Sequence, residues 1–364
     1  MLPTPSKVQV AADDNPTQAS YVYMRPNTAN TGSVPSQAPV CNSPDIWVAG
    51  IAPVADFQTV LATSDSYALS SASNVVEGLT NYIYVRGMNG SGAVATQTVQ
   101  LYYAPDGIIQ WPSEWQGNVI KTDQGNAMAN ITNLAAGAVG VADQPFMWTN
   151  VAPPPAGSDH YCLFAQFNDP KNPAYNPFPQ ISSQVDMAAL VSNNLAWGWR
   201  NITLVDGSEP KWSYITALKV PAGMPSGTYF LYVNPTGFDG WSVSFQCSQT
   251  DANGKSMNLD STNITQDNLL VGIACTLNAG FSAIVTINIF SNGNTAASGA
   301  SVPLGCSYGT QPHEEEEVLA LGIVDHAHTA QVQAAHANAL AGDASNDVTP
   351  QYWLPLGTQT YQIK

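Results

Sequence analysis

Apolar and polar positions alternate with a period of two through several short stretches of the chain, and the most regular of them flank a Gly/Asn turn. In residues 81–86, Tyr82, Tyr84 and Arg86 share one parity while Ile83 and Val85 share the other. In the run that follows, Val99, Leu101 and Tyr103 alternate with Thr98, Gln100 and Tyr102. This is the pattern of strands in a half-buried sheet. Met-Asn-Gly-Ser-Gly at 88–92 supplies residues that tolerate positive φ. The pattern therefore predicts a β-hairpin in which 81–86 pairs antiparallel with 97–102.

Similar runs occur on both sides. Ser-Pro-Asp-Ile-Trp-Val at 43–48 opens with a turn signal, Phe-Met-Trp at 146–148 precedes prolines at 153–155, and 160–167 and 199–205 read as further strands. Short strands separated by turn chemistry indicate an antiparallel sandwich over 41–206. Beyond a boundary at 206–211, Trp241, Val243, Phe245 and Cys247 alternate with Ser242, Ser244, Gln246 and Ser248, and 269–277 and 283–290 add two more strands. The run at 227–233 faintly echoes 160–165. A second sandwich is expected over 211–364, with a helix near 318–341: an acidic run at 314–317 leads into Ala-rich sequence that starts at Asp325 and stops at Gly342. The tail after 352 reads as a last edge strand, and the polar residues 1–40 as an extended arm. The expected fold is all-β, two tandem antiparallel Ig-like sandwiches with one C-terminal Ala/His-rich helix.

Composition narrows the function. Only 10% of the 364 residues are charged and the net charge is −16, with ten Lys and Arg scattered singly. No basic patch is present to neutralise phosphates, so nucleic acid is not an expected partner. No apolar run of about eighteen residues predicts a transmembrane helix. The first residues lack a basic region followed by an apolar one, so no Sec signal peptide is expected; residence where the chain is made and export by another route both stay open. Five dispersed cysteines make neither a disulfide scaffold nor a zinc ribbon.

The succession of Asp-Ile-Trp-Val, then Asn81 and Tyr82 in a run ending at the Asn89–Gly90 turn, then Val-Gln-Leu-Tyr-Tyr-Ala, Phe-Met-Trp and a strand opened by Tyr161 after a proline-rich turn resembles the Ig-like bacterial adhesion-type modules of the CARDB class. The resemblance covers residues 43–205, departs in the long segment 110–144, and transfers no catalytic residue. It implies an architecture and a bacterial, secreted setting rather than a role.

Candidate chemistry is sparse. His313, His326, His328 and His336 lie close together beside four glutamates, a ligand set suited to zinc or nickel. On a helix, however, His326 and His328 point about 200° apart, so no metal and no cofactor is expected. Trp111, Trp115, Trp197 and Trp199 are candidates to line a carbohydrate or protein contact, with core packing the alternative. Cys247 and Cys275 each share parity with apolar residues. If their strands lie in opposite sheets, a disulfide across the core would contribute roughly 3–4 kcal/mol. The expected function is a non-enzymatic structural or binding protein, a subunit of a surface assembly, particle or secreted complex, with a protein partner or self-assembly and carbohydrate as a further ligand class. The alternatives are a secreted toxin component whose β-domains recognise a target, and a hydrolase with a dispersed active site.

Overall fold

The computed structural model describes residues 17–37, 39–71, 73, 75–158, 160–168, 181–205, 211–266, 269–297, 300–340 and 350–363. Its strands form sheets that are antiparallel but for one parallel pair, accompanied by few helices, an all-β architecture. The chain enters through β1 (Thr17–Gln18), β2 (Val22–Tyr23) and β3 (Ser33–Val34). It continues into β4 (Ile46–Gly50), the short helices α1 (Phe57–Val60) and α2 (Ser64–Tyr67), and the long strands β5 (Asn81–Asn89) and β6 (Ala95–Pro105). Helix α3 (Pro112–Trp115) and strands β7 (Val119–Ile120), β8 (Ala129–Leu134), β9 (Val139–Val141), β10 (Phe146–Trp148) and β11 (Tyr161–Asn168) follow. Helix α4 (Gln184–Asn193) and β12 (Trp197–Arg200) complete this half.

Strand β5 is the centre of one sheet, paired antiparallel with β4 and β10 in its first half and with β2 and β9 in its second. Strand β6 belongs to the facing sheet, ordered β12-β11-β6-β7 with β8 also on β6. The expected hairpin is thus corrected: both strands form, but they lie in opposite sheets joined by an arch. Ile83 and Val85 meet Val99 and Leu101 across one core. The turn is held elsewhere. Buried Asn89 donates to the carbonyls of Ala93 (2.8 Å) and Leu134 (2.9 Å), and the Gly90 N–H donates to Tyr21 O at 3.0 Å. A Cβ at Gly90 would sit 2.1 Å from Ala19 O, so only glycine admits this approach.

That approach also corrects the extended arm. Residues 1–16 lie outside the described residues, but β2 is a strand of the first sheet and Val22, Tyr23 and Met24 are buried. The apolar patch at 21–24 is what fastens it. Helix α4 was not expected. Its signal was present in Ser183 and Asp186, which form a capping box.

The second half consists of β13 (Ile202–Val205), β14 (Lys211–Lys219), β15 (Gly227–Val233), β16 (Ser242–Cys247), β17 (Leu259–Asn263), β18 (Val271–Leu277), β19 (Ser282–Phe290) and β20 (Ser301–Gly309). Helices α5 (Glu315–Ala320) and α6 (His326–Ala339) and strand β21 (Trp353–Ile363) end it. One sheet runs β13-β21-β20-β15-β18, the other β14-β19-β16-β17, and their apolar faces enclose the core. The expected single strand over 199–205 divides: β12 stays with β11, whereas β13 pairs in parallel with β21. β21 is accordingly an interior strand, not an edge. The boundary expected at 206–210 lies outside the described residues. The expected helix is two helices, interrupted near Gly322 (φ 62°). The Asp325 side chain caps α6 by accepting from His328 N at 2.9 Å. α6 lays Val332 and Ala335 on Phe230, Tyr232 and Trp353, the outward face of the five-stranded sheet.

The two halves share a core. The second face of the β11-β6 pair carries Tyr102, Ala104, Cys162 and Phe164, which join Trp111, Trp115, Trp197, Trp199, the apolar side of α4, and Leu354 and Leu356 of β21. Trp115 stacks on Phe164 (centroids 4.6 Å, planes 6° apart) and on Trp197 (6.3 Å, 4°). The four tryptophans are therefore buried in this seam and line no exposed contact, because they cover a sheet face that would otherwise meet water. Across the seam Ile108 N donates to Ala217 O (3.0 Å) and Trp111 Nε1 to Lys219 O (2.9 Å). Gly357 of β21 lets the strand approach: a Cβ there would lie 2.1 Å from Ile108 O.

Candidate functional site

Arg86 lies in the middle of an apolar strand and is fully buried. A guanidinium in that position needs a partner for each of its N–H groups. It donates through Nη1 to Ser66 O (2.8 Å) and Leu61 O (3.5 Å), through Nη2 to Leu69 O (2.6 Å) and Pro44 O (3.0 Å), and through Nε to Asp45 Oδ1 (3.2 Å). Three of these acceptors belong to residues 51–80, the connection from β4 to β5 that carries α1 and α2. Arg200 reaches the same segment, donating to Ser70 Oγ (2.9 Å) and Ser71 O (2.6 Å). Arg25 pairs with Asp45 (2.6 Å) and lies 3.4 Å over the Tyr67 ring.

Two guanidiniums, Arg25 and Arg86, thus share one buried carboxylate, and Arg200 feels the charge of Arg86. Burial, then repulsion from Arg86, pushes Arg200 down to about 10. Burial likewise lowers Arg86, against the attraction of Asp45. At Arg25 burial opposes the charge, but the hydrogen bond and charge of Asp45 outweigh it and the value rises. At about 10, Arg200 remains a cation at neutral pH. Leu61 packs with Tyr84 and Val141 beneath the segment, and Val54 N donates to Tyr84 Oη at 2.9 Å.

A connection held this firmly from beneath is a platform rather than a loose loop. It also carries exposed apolar side chains among its polar ones. Of the eleven large hydrophobic side chains exposed among the described residues, five stand on it: Ile51 (56% exposed), Val60 (48%), Leu69 (58%), Val76 (42%) and Leu79 (46%). The signal in the sequence was Arg86 itself, a charge inside an apolar strand.

A second cluster sits in the seam. Asp106 directly follows β6, and its N–H donates to His160 O (2.9 Å) at the start of β11. Because Cys162 faces Ala104 in that register, Asp106, His160 and Cys162 project from one face. Their ligand atoms all lie within 4.8 Å of one another. His160 Nε2 is 3.8 Å from Asp106 Oδ1 and contacts Asn201 Oδ1. Gln359 of β21 bonds Asp106 and Thr216, and Gln110 Nε2 lies 3.3 Å from Cys162 Sγ. Burial pushes the Cys162 thiol up although its hydrogen bond to His160 pulls the other way. As a nucleophile it is therefore both enclosed and weak.

The C-terminal histidines do not converge. His313 and His326 are exposed, His328 Nε2 bonds Ser307 Oγ at 2.8 Å, and His336 is buried 4.8 Å from the Trp353 ring. Cys247 and Cys275 do lie in facing sheets with their side chains in the core. No bridge joins them in this structure: all five cysteines are free and buried, small apolar side chains in effect. The outer face of the β14-β19-β16-β17 sheet holds an open groove of about 770 Å³ lined by Ser244, Gln246, Asn258, Asp260, Ser261 and Thr286 among others. None of the four candidate tryptophans lines it.

No family model matches the chain, and no curated protein matches it. Among solved structures it is similar to CBD12 from CALX1.2 (8% identity, 78% of this chain and 93% of that one, TM-score 0.17). It is also similar to the CupB6 tip adhesin from Pseudomonas aeruginosa (8%, 79% and 91%, 0.19) and to the CFA/I enterotoxigenic E. coli adhesin CfaE (8%, 96% and 92%, 0.18). At these scores the likeness carries no function to this chain.

Proposed function

We propose that the chain is a non-enzymatic structural protein, a subunit of an assembly of its own copies, and that the platform at 51–80 is its contact surface. The observation that carries this is the pairing of five exposed apolar side chains with a buried arginine scaffold beneath them. Clustered exposed apolar residues are costly to keep in water and mark association surfaces. A pre-ordered platform loses little further entropy on docking. With a net charge of −16, and with Asp56, Asp65 and Glu77 exposed on the segment itself, copies repel one another at low ionic strength, so association through its apolar side chains should strengthen with salt. Burial encloses Asp106 and pushes the Cys162 thiol up, which counts against a nucleophilic role for this cluster. The test is light scattering on the size-exclusion eluate over a concentration series. The wild type is expected to assemble, and Leu69→Asp combined with Val60→Asp to be monomeric with an unchanged far-UV spectrum. A wild type that stays monomeric throughout, or a double variant that assembles equally well, overturns the proposal.

A further inference from the structure

We propose that Asp106, His160 and Cys162 bind one zinc ion in the seam between the two sandwiches, the metal replacing the contact of His160 Nε2 with Asn201 Oδ1. The site goes beyond the association surface and is independent of it. It also departs from the expectation, drawn from the histidine spacing at the C-terminus, that no metal is bound.

Three observations carry it. The donors are one carboxylate oxygen, one imidazole nitrogen and one thiol sulfur, a set that zinc accepts and that calcium and magnesium, which take oxygen, do not. In a tetrahedron with bonds of about 2.0–2.3 Å the ligand atoms are about 3.3–3.6 Å apart. The 3.8 Å between His160 Nε2 and Asp106 Oδ1 is already near that edge, and the remaining separations, none above 4.8 Å, close by small side-chain rotations. Finally, the surroundings are polar where an apolar core would suffice. Gln110 is 1% exposed, its amide nitrogen is engaged by Gly107 O (2.8 Å) and Cys162, and its side-chain oxygen accepts no hydrogen bond among the described residues. The Gln359 and Gln110 amides, which bond Asp106 and Cys162, are the kind of outer partners that hold ligating groups in place.

Charge balances on binding. Zinc displaces the proton of the Cys162 thiol, which leaves to solvent, and the sulfur then bonds the metal as a thiolate. The imidazole binds through Nε2 and carries its single proton on Nδ1. One thiolate and one carboxylate neutralise the dication, so the seam encloses no net charge. Because Asp106, His160 and Cys162 lie on or beside β6 and β11 of the first sandwich while Gln359, bonded to Asp106, belongs to β21 of the second, the ion would tie the two halves together.

The experiment uses the full chain, freed of metal by dialysis against a chelator and titrated with Co²⁺ as a spectroscopic stand-in. The expected result is a single equivalent giving visible tetrahedral bands and a near-ultraviolet sulfur-to-cobalt band, all erased by Zn²⁺, together with a higher melting temperature in Zn²⁺ than in chelator. Cys162→Ser should lose the sulfur band, whereas His326→Ala should keep the whole spectrum. If Cys162→Ser does not fold, the wild-type spectrum and melting shift decide by themselves. No cobalt spectrum and no melting shift in the wild type overturns the site, as does a sulfur band that survives Cys162→Ser.

Discussion

Replacing Arg86 by Met keeps most of the side chain's volume and removes its charge and donors. The two short bonds into the platform, to Ser66 O at 2.8 Å and Leu69 O at 2.6 Å, are made by a charged donor. Such bonds contribute about 1.5–3 kcal/mol each, so the platform loses about 3–6 kcal/mol of local anchoring. The global loss is smaller, because removing a buried guanidinium also removes its desolvation cost. Asp45 keeps Arg25 at 2.6 Å and is not left alone. Asp45→Asn is the harsher change: it strips the countercharge from two buried guanidiniums, which costs about 3–5 kcal/mol. Urea unfolding followed by tryptophan fluorescence should therefore rank Asp45→Asn below Arg86→Met and both below wild type. Hydrogen exchange should show amide protection lost across 57–69 in Arg86→Met. Unchanged protection there, or an Asp45→Asn variant within about 1 kcal/mol of wild type, would refute the reasoning.

Other expectations follow from the same geometry. Trp115→Ala should cost about 3–5 kcal/mol in urea unfolding, since it removes a buried ring packed against both Phe164 and Trp197; a change under about 1 kcal/mol would mean the seam is not a packed core. Burial holds His328 below its ordinary value of 6.5. Its contribution to stability is therefore fully present above that value and lost as pH falls through the lowered folded value. His328→Gln should flatten the acid side of the stability–pH curve, measured by unfolding at a series of pH values, and an unaltered slope would count against it. In thiol titration without reductant or metal, the native chain should react negligibly and the urea-unfolded chain should release all five thiols; recovery of only three would restore the disulfide.

Much of the strand content was legible because it depends on local parity. The alternation in 81–86, 97–103, 160–167 and 241–247 identified β5, β6, β11 and β16, and Asp325 marked the start of α6 through a capping bond that needs only three residues. Parity says which residues share a face; it does not say which strand lies alongside. The Asn89–Gly90 turn looked like a hairpin because its chemistry suits one. The competing bonds to Tyr21, Ala93 and Leu134 come from residues distant in sequence or from the turn's own far side. That one mispairing hid the seam cluster, for Asp106 meets His160 only when β6 pairs with β11. Whether an indole is wet or buried is likewise a question about what lies on top of it, and Trp115 and Trp199 are covered by chain from both halves. The sequence by itself determined the strands, their faces and the helix start, all set by neighbours a few residues apart. Strand partners, the platform's anchoring by Arg86 and Arg200, and the convergence of Asp106, His160 and Cys162 were decided only by tertiary packing, where contacts between residues far apart in the chain outweigh local turn and strand preferences.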